Sequence, residues 1–332
     1  MRKKIRHLEI DFLRALSILA VIFIHTSAYF LSKKNVFFVW DFCQFAVVTF
    51  VFCSSYVFFQ RERLLSLGSF FAYLKKRLLR LLIPYWIFLF VMLSLIMIKE
   101  PNKINFAFVL KNVFVIGGID INWLVLLFIL SSVLFPILSF LRHKKPWLFY
   151  LYGTFSLASS VILLFYKPGF DFRLIMWLPW SVVALFSWYY IKHQKQSLFL
   201  PLTMSVSLFL FSLLKLVLSS THHSLILFDN KYPPNLYHLA YGLFLTALLS
   251  FIFKAEFFRF APIKISLSFL SKKSYSLFFI HYVVVYVLTM FYKISFTWIS
   301  FFIYVLTATI IIQLILTFAG YLFSTAKRGP TI

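Results

Sequence analysis

Arg14 and His25 stand eleven residues apart inside an otherwise apolar stretch, residues 10–31, IDFLRALSILAVIFIHTSAYFL. On a helix that spacing is about three turns, so the two side chains share one face, separated by roughly 16 Å along the axis. Asp11 falls near the same face, one turn further toward the N-terminus. Imidazole titrates close to neutral pH and suits general acid–base work. A guanidinium stays charged and offers a planar fork of donors to phosphate or carboxylate. Ionisable groups at membrane depth cost at least a few kcal/mol each, and they usually face a bundle interior or a wet cavity. Three on one stripe therefore point to a site. Each also has a plainer reading: a neutral histidine bonded to a backbone carbonyl, and an Arg14–Asp11 ion pair that lets both sit in the membrane. Asp11 cannot orient His25, because about 21 Å of helix lies between them.

The second polar set is Tyr73-Leu-Lys-Lys-Arg-Leu-Leu-Arg-Leu-Leu-Ile-Pro-Tyr-Trp86. Lys76, Arg77 and Arg80 fall along about one turn ahead of Pro84, an arrangement suited to the phosphates of a cytoplasmic donor. The excess of bases in cytoplasmic loops would place them there without any ligand. Trp123 reads as a membrane anchor or a ligand platform, Arg173 with Asp171 as an interface pair, and Tyr275 with His281 as a late polar segment, His281 being structural or catalytic. His222, His223 and His238 lack metal-ligand spacing, so no metal is expected. Cys43 and Cys53 lie about 15 Å apart on one predicted helix, too far to bridge. Ser54-Ser55 lacks the Gly-x-Ser-x-Gly elbow of serine hydrolases.

Positioning these residues requires a membrane. The chain has 332 residues, 62% of them hydrophobic and only 13% charged. Apolar runs of about twenty residues recur to the end, more apolar surface than a soluble core absorbs. The runs are continuous rather than alternating, which disfavours a β-barrel. The expected fold is all-α: one polytopic bundle over residues 1–332, with ten spans near 10–31, 37–59, 81–98, 122–141, 147–166, 174–191, 198–218, 236–253, 274–292 and 298–323. The net charge of +24 would suggest nucleic acid in a soluble protein, but basic cytoplasmic loops explain it here, and no nucleic-acid partner is expected. With both termini inside, 22 of the 33 Lys and Arg fall on the cytoplasmic side. They include Arg2, Lys3, Lys4, Arg6, Lys327 and Arg328. The longest external connections are 99–121 and 219–235. Residues 104–116 read as an interfacial or re-entrant helix, Gly117-Gly118 as a hinge, and Pro233-Pro234 as an extended break.

With these residues assembled, the chain resembles the acyltransferase-3 family of integral membrane acyltransferases. Residues 10–25 are similar to that family's first-helix signature, in which an arginine precedes a histidine by eleven positions. Lys76-Arg-Leu-Leu-Arg-Leu-Leu-Ile-Pro84-Tyr resembles its basic run at the third span. Asn122-Trp-Leu-Val resembles the start of its fourth span, and Ser274-Tyr-Ser-Leu-Phe-Phe-Ile-His281 its late tyrosine-to-histidine segment. One departure is Phe52-Cys-Ser-Ser-Tyr56, where the family often has a Ser-Gly pair.

The resemblance implies a multi-pass enzyme of a bacterial plasma membrane. It would transfer acyl groups other than aminoacyl, commonly acetyl, from cytoplasmic acyl-CoA to a hydroxyl of a glycan or glycolipid, with no tightly bound cofactor. Arg14, Lys76, Arg77 and Arg80 would hold the CoA phosphates, and His25 would act as base. Asp11, Trp123, Arg173, Tyr275 and His281 are candidate substrate contacts. Direct transfer and an acyl-enzyme relay both fit. Polar groups in spans would equally line an export path for a polysaccharide intermediate, the competing expectation.

Overall fold

The computed structural model describes residues 7–61, 66–255, 258, 260–292 and 297–326. Arg2, Lys3, Lys4, Arg6, Lys327 and Arg328, which bear on the expected orientation, lie outside the described residues. The elements in order are α1 (Leu8–Ser27), α2 (Lys34–Phe42), α3 (Ala46–Gln60), α4 (Leu67–Lys99), α5 (Phe106–Val113), α6 (Asn122–Lys144), α7 (Pro146–Ile162), α8 (Trp177–His193), α9 (Phe199–Ser220), α10 (Leu236–Ile252), α11 (Ala261–Phe291) and α12 (Trp298–Ala326). Among the described residues there is no strand. Among the described residues, six stretches are long and apolar enough to cross a membrane: Lys34–Gln60, Gly68–Lys99, Asn122–Lys144, Phe199–Ser220, Ala261–Phe291 and Trp298–Leu322. The protein is an all-helical, multi-pass membrane protein.

Local sequence accounts for the element ends. Ser66, Asn105 and Asn235 cap α4, α5 and α10 by accepting from the backbone N–H three residues on, which satisfies donors that a helix start leaves unpaired. The apolar stretch expected at 37–59 is split into α2 and α3 by a 3-10 turn, Cys43–Phe45. Carbonyls at this break find side-chain donors: Gln44 donates to Trp40 O at 3.2 Å and Tyr241 to Phe42 O at 2.6 Å. Such rescue is what lets backbone deviate at membrane depth.

α1 lies in the middle, packed against α11, α3, α12 and α10. Thirteen of its twenty residues are buried, with Ala15, Ser17, Ala20 and Ser27 allowing close neighbours. Helix association in lipid rests on such small residues and on interhelical hydrogen bonds. α10 meets α3 in the same way: a Cβ on Gly242 would lie 2.4 Å from Val48, and Thr49 and Thr246 share a 2.8 Å hydroxyl–hydroxyl bond.

Two helices run well past their apolar cores. α4 begins at residue 67 rather than 81 and α11 at 261 rather than 274. Lys and Arg are good helix formers, so the basic segments expected as loops continue the helices instead. The bases therefore have a rigid support.

Candidate functional site

Three cavities run along α1. The first, of about 320 Å³, is lined by Arg14, Ser54, Arg61, Tyr73, Lys76, Arg77 and Arg80. The second, of about 430 Å³, shares Arg14, Ser54, Arg77 and Arg80 with it and adds Lys272, Lys273 and Tyr275 from α11. The third, of about 300 Å³, lies toward the C-terminal end of α1 and contains His25, Trp40, Asp120, Trp123, Lys231 and Tyr232. Leu124 and Phe278 line both the second and third cavities and are themselves buried. A basic mouth thus leads to an apolar partition with an imidazole behind it.

At the basic end Arg14 donates to Cys53 O at 3.3 Å. Asp11 accepts from Ser271 at 2.6 Å, tying α1 to α11. Arg77 is half-buried and held on two sides, by Ser54 at 2.9 Å and Ser132 at 3.3 Å. Ser54 thus orients a cation, in the segment that departs from the family's Ser-Gly pair. Lys76 and Arg80 are exposed one turn apart on α4. Pro84 removes the amide that would bond the carbonyl of Arg80, leaving an acceptor beside the second cavity. Tyr275 donates to Leu81 O at 2.8 Å, fixing α11 against α4.

At the other end the His25 side chain makes no hydrogen bond to the described residues. Its ring lies 5.2 Å from that of His281 and 5.6 Å from that of Tyr282, centre to centre. His281 is fully buried. Its Nδ1 sits 3.0 Å from Leu277 O, while its Nε2 has no partner. That geometry assigns the proton to Nδ1 and leaves the Nε2 lone pair available. Sequence alone offered no partner for His25, and the fold supplies a second imidazole.

The two long connections converge on this end. In residues 114–121, Asn112 Oδ1 accepts from Ile119 N at 2.9 Å and from Asn122 Nδ2 at 2.8 Å, and Asn122 also donates to Gly117 O at 2.7 Å. Gly118 has φ +89°, and a Cβ there would meet the Asn112 amide at 2.1 Å. The expected hinge is a clamped turn. Gly118→Ala is expected to cost about 2 kcal/mol or more through its φ and the displaced amide. The check is the thermal midpoint of the detergent-purified protein, and an unchanged midpoint would show that the turn relaxes.

The connection 221–235 is also held. Asp41 accepts from Leu227 N and Phe228 N, both at 3.2 Å, and Asn230 donates to Ser224 O and Ile226 O, both at 2.8 Å. It presents Phe228, Lys231 and Tyr232 to the His25 cavity. Trp123 is buried here, 4.9 Å from the Tyr232 ring and 6.4 Å from Trp180. Arg173 lies outside the three cavities, in a two-pronged pair with Asp171 at 3.0 and 3.2 Å.

Sequence reasoning passed over Lys231, Tyr232, Asp120, Trp40, Arg61, Lys272 and Lys273. The one available signal was the density of Asp229, Asn230 and Asn235 around Pro233-Pro234, residues that build fixed turns rather than slack loops. Among the described residues, no group of three or more His, Cys, Asp or Glu side chains suits a metal ion, and Cys43 and Cys53 are free.

Against known families, the model described as an acyltransferase domain, of the acyltransferase-3 type, matches residues 7–318. No curated protein and no solved structure matches the chain.

Proposed function

The chain belongs to the acyltransferase-3 family and is a membrane acyltransferase; from that premise we propose that it moves an acyl group, acetyl in the simplest case, from cytoplasmic acyl-CoA to a hydroxyl of a glycan or glycolipid. The observation that carries this reading is the set of cavities beside α1, basic at one end and bearing His25 at the other, with Leu124 and Phe278 lining both the second and the third. Arg14, Lys76, Arg77 and Arg80, joined by Lys272 and Lys273, hold the CoA phosphates through charge-assisted hydrogen bonds. The pantetheine arm extends along α1 past Leu124 and Phe278. The roughly 16 Å between Arg14 and His25 is a length that such an arm spans.

Trp123 and Tyr232 offer aromatic faces to a sugar ring. His25 takes the proton of the acceptor hydroxyl as its oxygen attacks the thioester carbonyl. The tetrahedral intermediate collapses by breaking the C–S bond, and the thiolate recovers the proton from the imidazolium. During turnover the free Nε2 of His281, whose ring lies 5.2 Å from that of His25, would accept from the His25 N–H and hold its tautomer, a positioning role. The same reading places the enzyme in a bacterial plasma membrane with ten spans and both termini inside. The basic mouth then opens to the cytoplasm.

Proteoliposomes with acyl-labelled acyl-CoA confined to one face and a lipid-linked glycan as acceptor test this. Label is expected in an O-ester of the glycan when the donor meets the face bearing Lys76, Arg77 and Arg80. Transit of unmodified glycan without thioester consumption would replace transfer by export.

A further inference from the structure

Among the described residues Lys231 is the one Lys or Arg side chain of the His25 cavity, and its surroundings do not account for it. It is 5% exposed, in a connection rather than a helix. Among the described residues its amine makes one hydrogen bond, to Gln44 Oε1 at 3.1 Å, and Gln44 is itself aimed by its 3.2 Å bond to Trp40 O. The ammonium lies 5.2 Å from the ring centres of both Trp123 and Tyr232. No carboxylate of the described residues pairs with it, although Asp120 lines the same cavity. An ammonium has three donors, and burying a charge without an anion is costly. Aromatic faces offset only part of that. Two donors are left for something that enters the cavity. The indole N–H of Trp40, another buried lining group, is also without an acceptor among the described residues.

We propose that Lys231 is a catalytic residue of the acyl transfer, whose ammonium holds the oxyanion formed when the acceptor oxygen attacks the thioester. As that C–O bond forms, the carbonyl π electrons move to oxygen and the negative charge is met by Lys231. When the C–S bond breaks the charge leaves with the thiolate, which takes the proton from His25. A fixed cation aimed at developing charge in a water-poor site is an efficient source of rate. Trp123 and Tyr232 confine the amine, and Gln44 sets its direction. Burial also depresses the Lys231 pKa from the usual lysine range to about 8, with Asp120 pulling the other way.

The groups facing Lys231 are Gln44 ahead of α3, Asp120 and Trp123 at the start of α6, Tyr232 beside it, His25 on α1 and His238 on α10. Of these side chains, only a lysine loses a positive charge between pH 7 and 9. A cation that must be present works below its pKa and fails above it, so the rate falls as pH rises through about 8.

The inference rests on the transferase reading, and the test separates the two. Purified wild type, Lys231→Met, Lys231→Arg and His25→Ala are placed in proteoliposomes with radiolabelled acetyl-CoA and a bacterial glycolipid extract. Lys231→Met is expected to lose roughly 100-fold in kcat with the KM for acetyl-CoA little changed, the scale of losing one oxyanion donor. Lys231→Arg keeps its charge at every accessible pH. It should retain measurable rate and lose the alkaline fall, a change that a merely structural lysine would not produce. His25→Ala inactive with Lys231→Met near wild type, or with an alkaline limb in Lys231→Arg unmoved from wild type, overturns the role of Lys231 alone. Full transfer by His25→Ala overturns the reading beneath it.

Discussion

Replacing His25 by alanine is expected to lower kcat/KM for acyl transfer by roughly 100- to 10,000-fold, the range over which a positioned base contributes. The ring makes no hydrogen bond to the described residues, and its packing against His281 and Tyr282 is lateral. The substitution should therefore leave the bundle assembled, with unchanged elution and a thermal midpoint close to wild type. Labelled acyl transfer in proteoliposomes is the measurement. A variant within twofold of wild type would remove His25 as the base and turn attention to His281. Direct transfer further predicts that no labelled acyl-protein accumulates when the acceptor is withheld, whereas a relay would trap label on the chain.

Arg77→Ala is expected to raise the KM for acyl-CoA by roughly 10- to 100-fold with kcat nearly constant, the signature of lost binding that is equal in ground and transition states. Arg77 is chosen because Ser54 and Ser132 hold its guanidinium between the first two cavities. Lys76 and Arg80 are exposed, so added salt screens them more strongly. Lysine at position 77 should restore little, since a point charge cannot serve both serines and a phosphate. An acyl-pantetheine donor, which lacks the nucleotide phosphates, is the control. It should show the same KM with wild type and Arg77→Ala. An equal penalty on both donors would mean that the arginine only braces α4 against α3 and α6.

Much of the candidate site was legible because membrane solvation is unforgiving. Asp11, Arg14 and His25 stand out in an apolar run, and three turns of helix fix their relation without tertiary information. Lys76, Arg77 and Arg80 were legible as a cluster, but Lys272 and Lys273 were not. Loop bookkeeping absorbed them, and only the continuation of α11 brings them against α4. The far end was largely hidden. Lys231 reaches the cavity because Asp41 accepts from Leu227 and Phe228, bonds that join residues 186 and 187 positions apart. No local pattern encodes such a pairing. Trp123 stayed open for the same reason: a tryptophan at a helix start usually faces an interface, and only the fold brings Trp180 and Tyr232 against it. His281 was ambiguous until α11 was seen to lie along α1.

Leu124 and Phe278 line both the basic and the imidazole cavity, and their apolar character has a further consequence. A hole that ran water-filled from the basic mouth to the imidazole would short-circuit the proton gradient on which the cell depends. Two greasy side chains lining both cavities would keep such a path an insulator, and a slender acyl arm is the kind of cargo that can push between them. On the proposed reading an acyl group would cross while the battery stays charged.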